Sequence, residues 1–267
     1  MERYIWFAPR LTPCRERNRA GAANPTRVAR GVLADRTAVI TGANRGIGLA
    51  IATLFTREGA QCILVVRDRA AGEKTAHTIA SEGLEPMVAV ADVSDRGEIA
   101  SAVMEISERF ARVDLLVNNA GIFLDEDRVT PPSRMDQLIF DRTLAVNLGG
   151  AISMSQALLP SMGNGGRIIN VSSTMGQLSD GSEGYAPAYC ISKTALNAFT
   201  QSLAGELTGR GIMVDCFHPG WARTDMGGPN ASVDPTQSAQ VALFLATRPQ
   251  SEKTGLFWRH PGVVIDW

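Results

Sequence analysis

Thr41-Gly42-Ala43-Asn44-Arg45-Gly46-Ile47-Gly48 stands between an apolar run, Thr37 to Ile40, and a helix-like segment, Leu49 to Arg57. A strand, a glycine-rich turn and a helix in that order present backbone N–H groups and a helix N-terminus to a pyrophosphate. The glycine spacing is GxxxGxG instead of the commoner dinucleotide GxGxxG, so taken alone it also fits a merely structural turn. The rest of the chain decides between the two.

Short β-like runs alternate with longer helical ones from here on, the pattern of a parallel sheet covered on both faces. Strands are expected at Thr37 to Thr41, Gln61 to Val66, Pro86 to Val90, Val113 to Val117, Arg167 to Val171, Ile212 to Phe217 and near Leu256. Helices are expected at Gly46 to Glu58, with Gly59 past its end, then at Ala70 to Ser81 and Asp95 to Phe110. A long helix, Met135 to Leu159, is stopped by Pro160, and two more span Ala188 to Thr208 and Pro235 to Thr247. No linker divides the chain. The expectation is an α/β fold: a single doubly wound, Rossmann-type domain over residues 35–267, with a mainly parallel sheet of about seven strands and helices on both faces. Ligands then belong at the carboxyl ends of the strands.

Composition narrows the function. The 267 residues are 45% hydrophobic and 20% charged, ample for a core, and the formal net charge of −1 gives no global attraction to nucleic acid or to an anionic membrane. No apolar run approaches the roughly 18 residues of a membrane span. The four cysteines, Cys14, Cys62, Cys190 and Cys216, have no paired spacing, which suits free thiols in a reducing, cytoplasmic setting. Residues 1–34 differ, since Arg3, Arg10, Arg15, Arg17, Arg19, Arg27 and Arg30 face only Glu2 and Glu16 before residue 31. This stretch reads as a disordered extension, with an organelle transit peptide as the other reading.

Several features fall at strand ends: the glycine turn, Asp92-Val93, Asn118-Asn119-Ala120-Gly121, Ser172-Ser173 and Pro219-Gly220. With TGxxxGxG, NNAG, a serine ahead of Tyr189, YxxxK at Tyr189 to Lys193 and the PG element in order, the chain resembles the short-chain dehydrogenase/reductase family over about Asp35 to Trp267. The tail, Gly255-Leu256-Phe257-Trp258 through Ile265-Asp266-Trp267, most resembles its carbonyl-reductase-like members.

Tyr189 and Lys193, four residues apart, share one helical face about 6 Å apart along the axis. A cation near a phenol of reference pKa about 10 favours the phenolate. Tyr185 has no lysine at that spacing. Ser173, sixteen residues before Tyr189, matches the family's catalytic serine, with Ser172 as runner-up. Asn147 matches the family asparagine that helps hold a water near the lysine.

The resemblance implies carbonyl reduction, run reversibly. Hydride moves from the nicotinamide while Tyr189 delivers a proton, Ser173 bonds the carbonyl oxygen, Lys193 binds the nicotinamide ribose and Asn147 completes a proton relay. No metal is required, and His218 reads as a structural residue at a strand end.

The cofactor-binding residues implied are Gly42, Asn44, Arg45, Gly46, Ile47, Gly48, Arg67, Asp92, Val93, Asn119, Ala120, Gly121, Tyr189, Lys193, Pro219, Gly220, Ala222 and Thr224. Asp92 and Val93 would contact the adenine; the Ala222 backbone and the Thr224 hydroxyl would lie near the carboxamide.

An NAD site normally has an acid at the end of its second strand. Here Val66 holds that position, followed by Arg67, and Arg45 lies inside the glycine turn, so two guanidiniums favour the 2′-phosphate of NADP(H). The competing register makes Asp68 the ribose acid. Residues 218–234 read as a substrate or lid loop, with Trp221, Met226 and Phe257 as candidate apolar walls. The partner expected is a small carbonyl or alcohol, and a homodimer or homotetramer is the family default. The second reading, from another class, is a non-catalytic NADP-binding sensor or scaffold.

Overall fold

Burial is continuous along the inner strands, and successive residues enter different cores. On β1 (Thr37–Thr41), Ala38 and Ile40 point to one face and Val39 to the other; on β2 (Gln61–Val66), Cys62, Leu64 and Val66 take the first face and Ile63 and Val65 the second. Strands buried on both faces need helices on both, and the chain supplies them. These are features of a computed structural model describing residues 31–179 and 184–267. The proposed extension lies mainly outside the described residues.

The first face is covered by α1 (Gly46–Arg57), through Ile51 and Phe55, and by α8 (Pro235–Thr247), through Val241 and Leu245, with Ile79 of α2 (Arg69–Ile79) beside them. The second face takes Ile99 and Ile106 of α3 (Arg96–Arg109), Met154 and Leu158 of α6 (Gly150–Leu158), and Leu203 and Leu207 of α7 (Pro187–Leu207). Two shorter helices, α4 (Asp125–Arg128) and α5 (Gln137–Leu144), fill the stretch before α6.

The remaining strands are β3 (Met87–Val90), β4 (Leu115–Asn118), β5 (Arg167–Val171), β6 (Met213–Phe217), β7 (Phe257–His260) and β8 (Val263–Ile265). Their order is β3-β2-β1-β4-β5-β6-β7-β8. The first seven run parallel, and β8 folds back antiparallel on β7. The strand order reverses between β1 and β4, the topological switch point where an open α/β sheet holds its ligand. The domain is thus of the doubly wound Rossmann type, with one strand more than the seven expected.

Three boundaries differ from the sequence expectation for physical reasons. Leu33 is buried in the first core and its N–H donates to the Glu58 carbonyl at 2.9 Å, so the packed body reaches back to Gly31. The long helix expected at 135–159 is two helices joined by a π turn, Ala145–Gly149. Its start is set by Asp136, whose side chain accepts from the N–H groups of Leu138 and Ile139. The unexpected β8 follows the Pro261-Gly262 turn and contains only three residues, too few for a clear period.

Candidate active site

At the switch point, the Thr41 hydroxyl ties the first strand to the fourth by accepting from the N–H groups of Asn119 (3.0 Å) and Ala120 (2.9 Å). The Asn119 amide returns the tie, donating to the carbonyls of Thr41 and Gly42. A Cβ at Gly48 would strike the Gly42 carbonyl oxygen and that same amide, so the third glycine serves close packing of turn on strand. Gly42 and Gly46 have φ of +63° and +56°, a left-handed turn that glycine adopts without strain.

Helix α1 then opens with no side-chain cap and no acid in its first turn. By contrast α2, α3, α5 and α8 are each capped by an aspartate, Asp68, Asp95, Asp136 and Asp234. Free N–H groups at a helix start facing a cleft suit an anion. A dinucleotide pyrophosphate fits this cradle.

That cleft has a volume of about 660 Å³. It is lined by Gly42, Asn44, Arg45, Gly46, Ile47, Arg67, Asp92, Val93, Asn119, Ala120, Gly121, Tyr189, Lys193, Pro219 and Thr224, so most of the expected cofactor residues meet on one wall or another. Gly48 packs behind the turn. Gly220 and Ala222 also lie off the cleft: Ala222 pairs with Val233 in an isolated bridge, and a Cβ on Gly220 would press on Val233. Ile122, Val146 and Met226 line it without having been expected among the cofactor residues.

At the inner end, Tyr189 and Lys193 project from the first turns of α7. Tyr189 is 9% exposed and Lys193 5%. The Lys193 ammonium lies 5.6 Å from the Tyr189 ring centroid and donates to the Val171 carbonyl at 2.9 Å. On the other side Phe123 stacks on the Tyr189 ring, with centroids 4.3 Å apart. Burial pushes the Tyr189 phenol up to about 12, partly offset by the Ser173 hydrogen bond and by the charge of Arg128. Burial also brings Lys193 down to about 8. Besides the neighbouring Lys193 that the spacing pointed to, the charge of Arg128, from another element, also draws the phenol down.

Ser173 begins the short turn after β5, its hydroxyl accepting from the Met175 N–H at 3.1 Å. Ser172, the runner-up, lines the cleft while Ser173 is not among its lining residues, and the Ser172 hydroxyl donates to the Asn197 amide oxygen. Asn147 is buried in the π turn. Its oxygen accepts from the Ile122 N–H (2.7 Å), while its nitrogen donates to the Ile122 carbonyl and the Ser192 hydroxyl. A π turn inside a helix often marks such a site, because the extra residue re-aims one side chain.

At the adenine end, Val66 is buried and Arg67 exposed, its guanidinium 3.9 Å from Asp92. Asp68, the acid of the competing register, also lines the cleft, and its Oδ1 caps α2 by accepting from the Ala71 N–H at 2.7 Å. Asp92 accepts from both the N–H and the hydroxyl of Ser94, and this bonding holds its carboxyl below the usual range. Arg45 pairs with Asp225 at 2.7 Å, joining the glycine turn to the 218–234 loop.

Of the three candidate apolar walls, only Met226 lines the cleft. Phe257 is fully buried in β7, stacked on Trp267, and Trp221 is 57% exposed with its indole N–H donating to the Gly227 carbonyl. A sequence cannot separate a buried strand aromatic from a pocket wall when both sit in apolar surroundings.

A profile of the short chain dehydrogenase family matches residues 36–234. The chain belongs to that family. It is 34% identical over 260 residues to the oxidoreductase UcpA of Salmonella typhimurium, covering 84% of this chain and 92% of the relative. Among solved structures it resembles an NADPH-bound carbonyl reductase from chicken fatty liver at TM-score 0.76 and 28% identity, covering 88% of this chain and 100% of the other. It also resembles a short chain dehydrogenase from Burkholderia cenocepacia in complex with NADP at TM-score 0.78 and 29% identity, covering 87% and 98%. As a short chain dehydrogenase the chain is an oxidoreductase. Among its described residues no helix is long and apolar enough to cross a membrane.

His218 lies outside the chemistry. Its Nδ1 accepts from the Thr174 N–H at 3.2 Å, and burial, with the charges of Arg259 and His260, lowers it to about 4. A folded pKa below the ordinary 6.5 means that the folded state takes up its proton later than the unfolded one. The stability tied to the neutral ring is complete above pH 6.5 and is lost as pH falls towards 4. The loss amounts to about 3 kcal/mol. Urea unfolding across pH 7 to 4 should show this slope in the wild type and a shallower one in His218→Asn. Equal slopes would remove His218 as the source.

Proposed function

We propose that this oxidoreductase reduces an aldehyde, ketone or quinone to an alcohol with NADPH, Tyr189 acting as general acid. The observation that carries the reading is the buried Tyr189 side chain in the cleft, stacked on Phe123 and flanked by the Lys193 ammonium. At about 12, the phenol keeps its proton at neutral pH, the form that reduction requires.

NADPH, when bound, supplies the hydride. The chain supplies the rest. Tyr189 gives its proton to the carbonyl oxygen, worth about 10² to 10⁴ in rate. Ser173 donates to the same oxygen and stabilises the charge developing there. Lys193 would hold the nicotinamide ribose, and Asn147, its amide fixed by the Ile122 backbone and Ser192, would close the proton relay behind the lysine. The α1 N-terminus would hold the pyrophosphate, the Thr224 hydroxyl would lie near the carboxamide, and Asp92 and Val93 would hold the adenine.

Arg45 and Arg67, both lining the cleft, support NADPH over NADH, since buried Val66 holds the position of the usual ribose acid and Asp68 is engaged as the cap of α2. The NADPH and NADP in the two solved relatives favour the same choice. The test is a panel of aldehydes, ketones and quinones, phenanthrenequinone and benzaldehyde among them, run with NADPH and NADH at matched concentrations. Oxidation of NADPH, faster than that of NADH, is expected. No turnover of any member removes the reading, and so does turnover in Tyr189→Phe at the wild-type rate.

A further inference from the structure

Helix α7 carries Tyr189 in its third position, and its N-cap residue, Ala186, makes no side-chain cap bond. Ala186 sits at φ +52° and has no side-chain oxygen, and Pro187 has no N–H to offer. The first free N–H groups are those of Ala188 and Tyr189 itself. Both go to a residue some sixty positions earlier: Oδ1 of Asp127 accepts from Ala188 at 3.1 Å and Oδ2 from Tyr189 at 2.9 Å. Asp127 is 2% exposed and does not line the cleft.

The same one-turn helix, α4, also reaches the Tyr189 ring. The Arg128 guanidinium lies 4.1 Å over Phe123, and Phe123 lies on Tyr189 with 19° between planes. Arg128 further donates to the Met226 carbonyl at 2.8 Å, in the loop that walls the substrate side. The backbone of Tyr189 is thus held directly from this four-residue element and its ring indirectly, through Phe123 beneath Arg128, which also touches the loop.

We propose that Asp127 is a positioning residue of the reaction: its buried carboxyl group, clasped on the Ala188 and Tyr189 N–H groups, sets where the Tyr189 hydroxyl stands relative to Ser173 and the substrate carbonyl. A proton donor moved by about 1 Å can lose about 10² in rate. Asp127 does not itself line the cleft and reaches it only through Tyr189, so its loss should slow the chemical step and leave binding alone.

The inference rests on Tyr189 as the acid, and the experiment separates the two. Wild type, Asp127→Ala and Asp127→Asn are compared for NADPH affinity by fluorescence titration and for kcat and KM with phenanthrenequinone, well below each variant's Tm. Asp127→Ala should lose about 10- to 10²-fold in kcat with KM and NADPH affinity within about threefold. Asp127→Asn, which keeps one acceptor oxygen, should recover part of that loss. Wild-type kcat in Asp127→Asn and Asp127→Ala overturns the proposal. A parallel loss of NADPH affinity and kcat also overturns it, since that marks a merely structural cap. Should Asp127→Ala fail to fold, Asp127→Asn decides alone, by a lowered kcat or an unchanged one. A wild type silent on phenanthrenequinone and on the rest of the panel removes the carbonyl reductase reading, and this proposal with it.

Discussion

Tyr189→Phe should lose about 10² to 10⁴ in kcat while NADPH still binds. The substitution removes one oxygen from a ring packed between Phe123 and the Lys193 ammonium, so the ring keeps its place. Ser173 keeps the bond from the Met175 N–H. What disappears is the proton that reduction must deliver. Because that proton sits on a group raised to about 12, the wild-type rate should show no decline from Tyr189 ionisation through neutral pH. Stopped-flow measurement of NADPH oxidation, with NADPH binding followed separately by fluorescence, checks both statements. A variant retaining more than about a tenth of wild-type kcat would contradict the general-acid role. Loss of NADPH affinity in the variant would point instead to a binding defect.

Local signals placed the parallel strands and the glycine turn well, since each depends on its own few residues. β1, β2, β5 and α8 lie where their apolar runs and caps put them. The long helix was read as continuous because its hydrophobic period barely notices one extra residue. The π turn at Asn147 comes from contacts with Ile122 and Ser192, far away in sequence. Asp127 was invisible for the same reason. In a stretch rich in charge and proline its side chain reads as solvated, and only the fold sets it against the start of α7. The influence on the Tyr189 phenol shows a subtler limit. Spacing on a helix identified the neighbouring cation, Lys193, but could not reveal that burial outweighs it or that Arg128 approaches from another element.

Replacing Arg45 and Arg67 together by alanine should cut kcat/KM for NADPH by about 10² to 10⁴ and change that for NADH only a few-fold, because each charge-assisted bond to a phosphate is worth about 1.5–3 kcal/mol. Both guanidiniums already have carboxylates beside them, Asp225 at 2.7 Å and Asp92 at 3.9 Å, so the 2′-phosphate must compete for them. The competition is uneven. The Arg45–Asp225 pair is open to solvent, with side chains 66% and 75% exposed. Exposed pairs contribute about 0–1 kcal/mol. A dianionic phosphate held by two guanidiniums outweighs that. Two consequences separate this account from a surface ion pair with no bearing on cofactor choice. Asp225→Asn should tighten NADPH by at most about fivefold, the equivalent of 1 kcal/mol, and leave NADH alone. Raising the salt concentration should narrow the preference for NADPH, as the phosphate–guanidinium attraction is screened at an exposed site. An NADPH preference that survives in the double variant, or a wild type faster with NADH, would return the choice to Asp68 and require its side chain to leave the Ala71 N–H that it now caps.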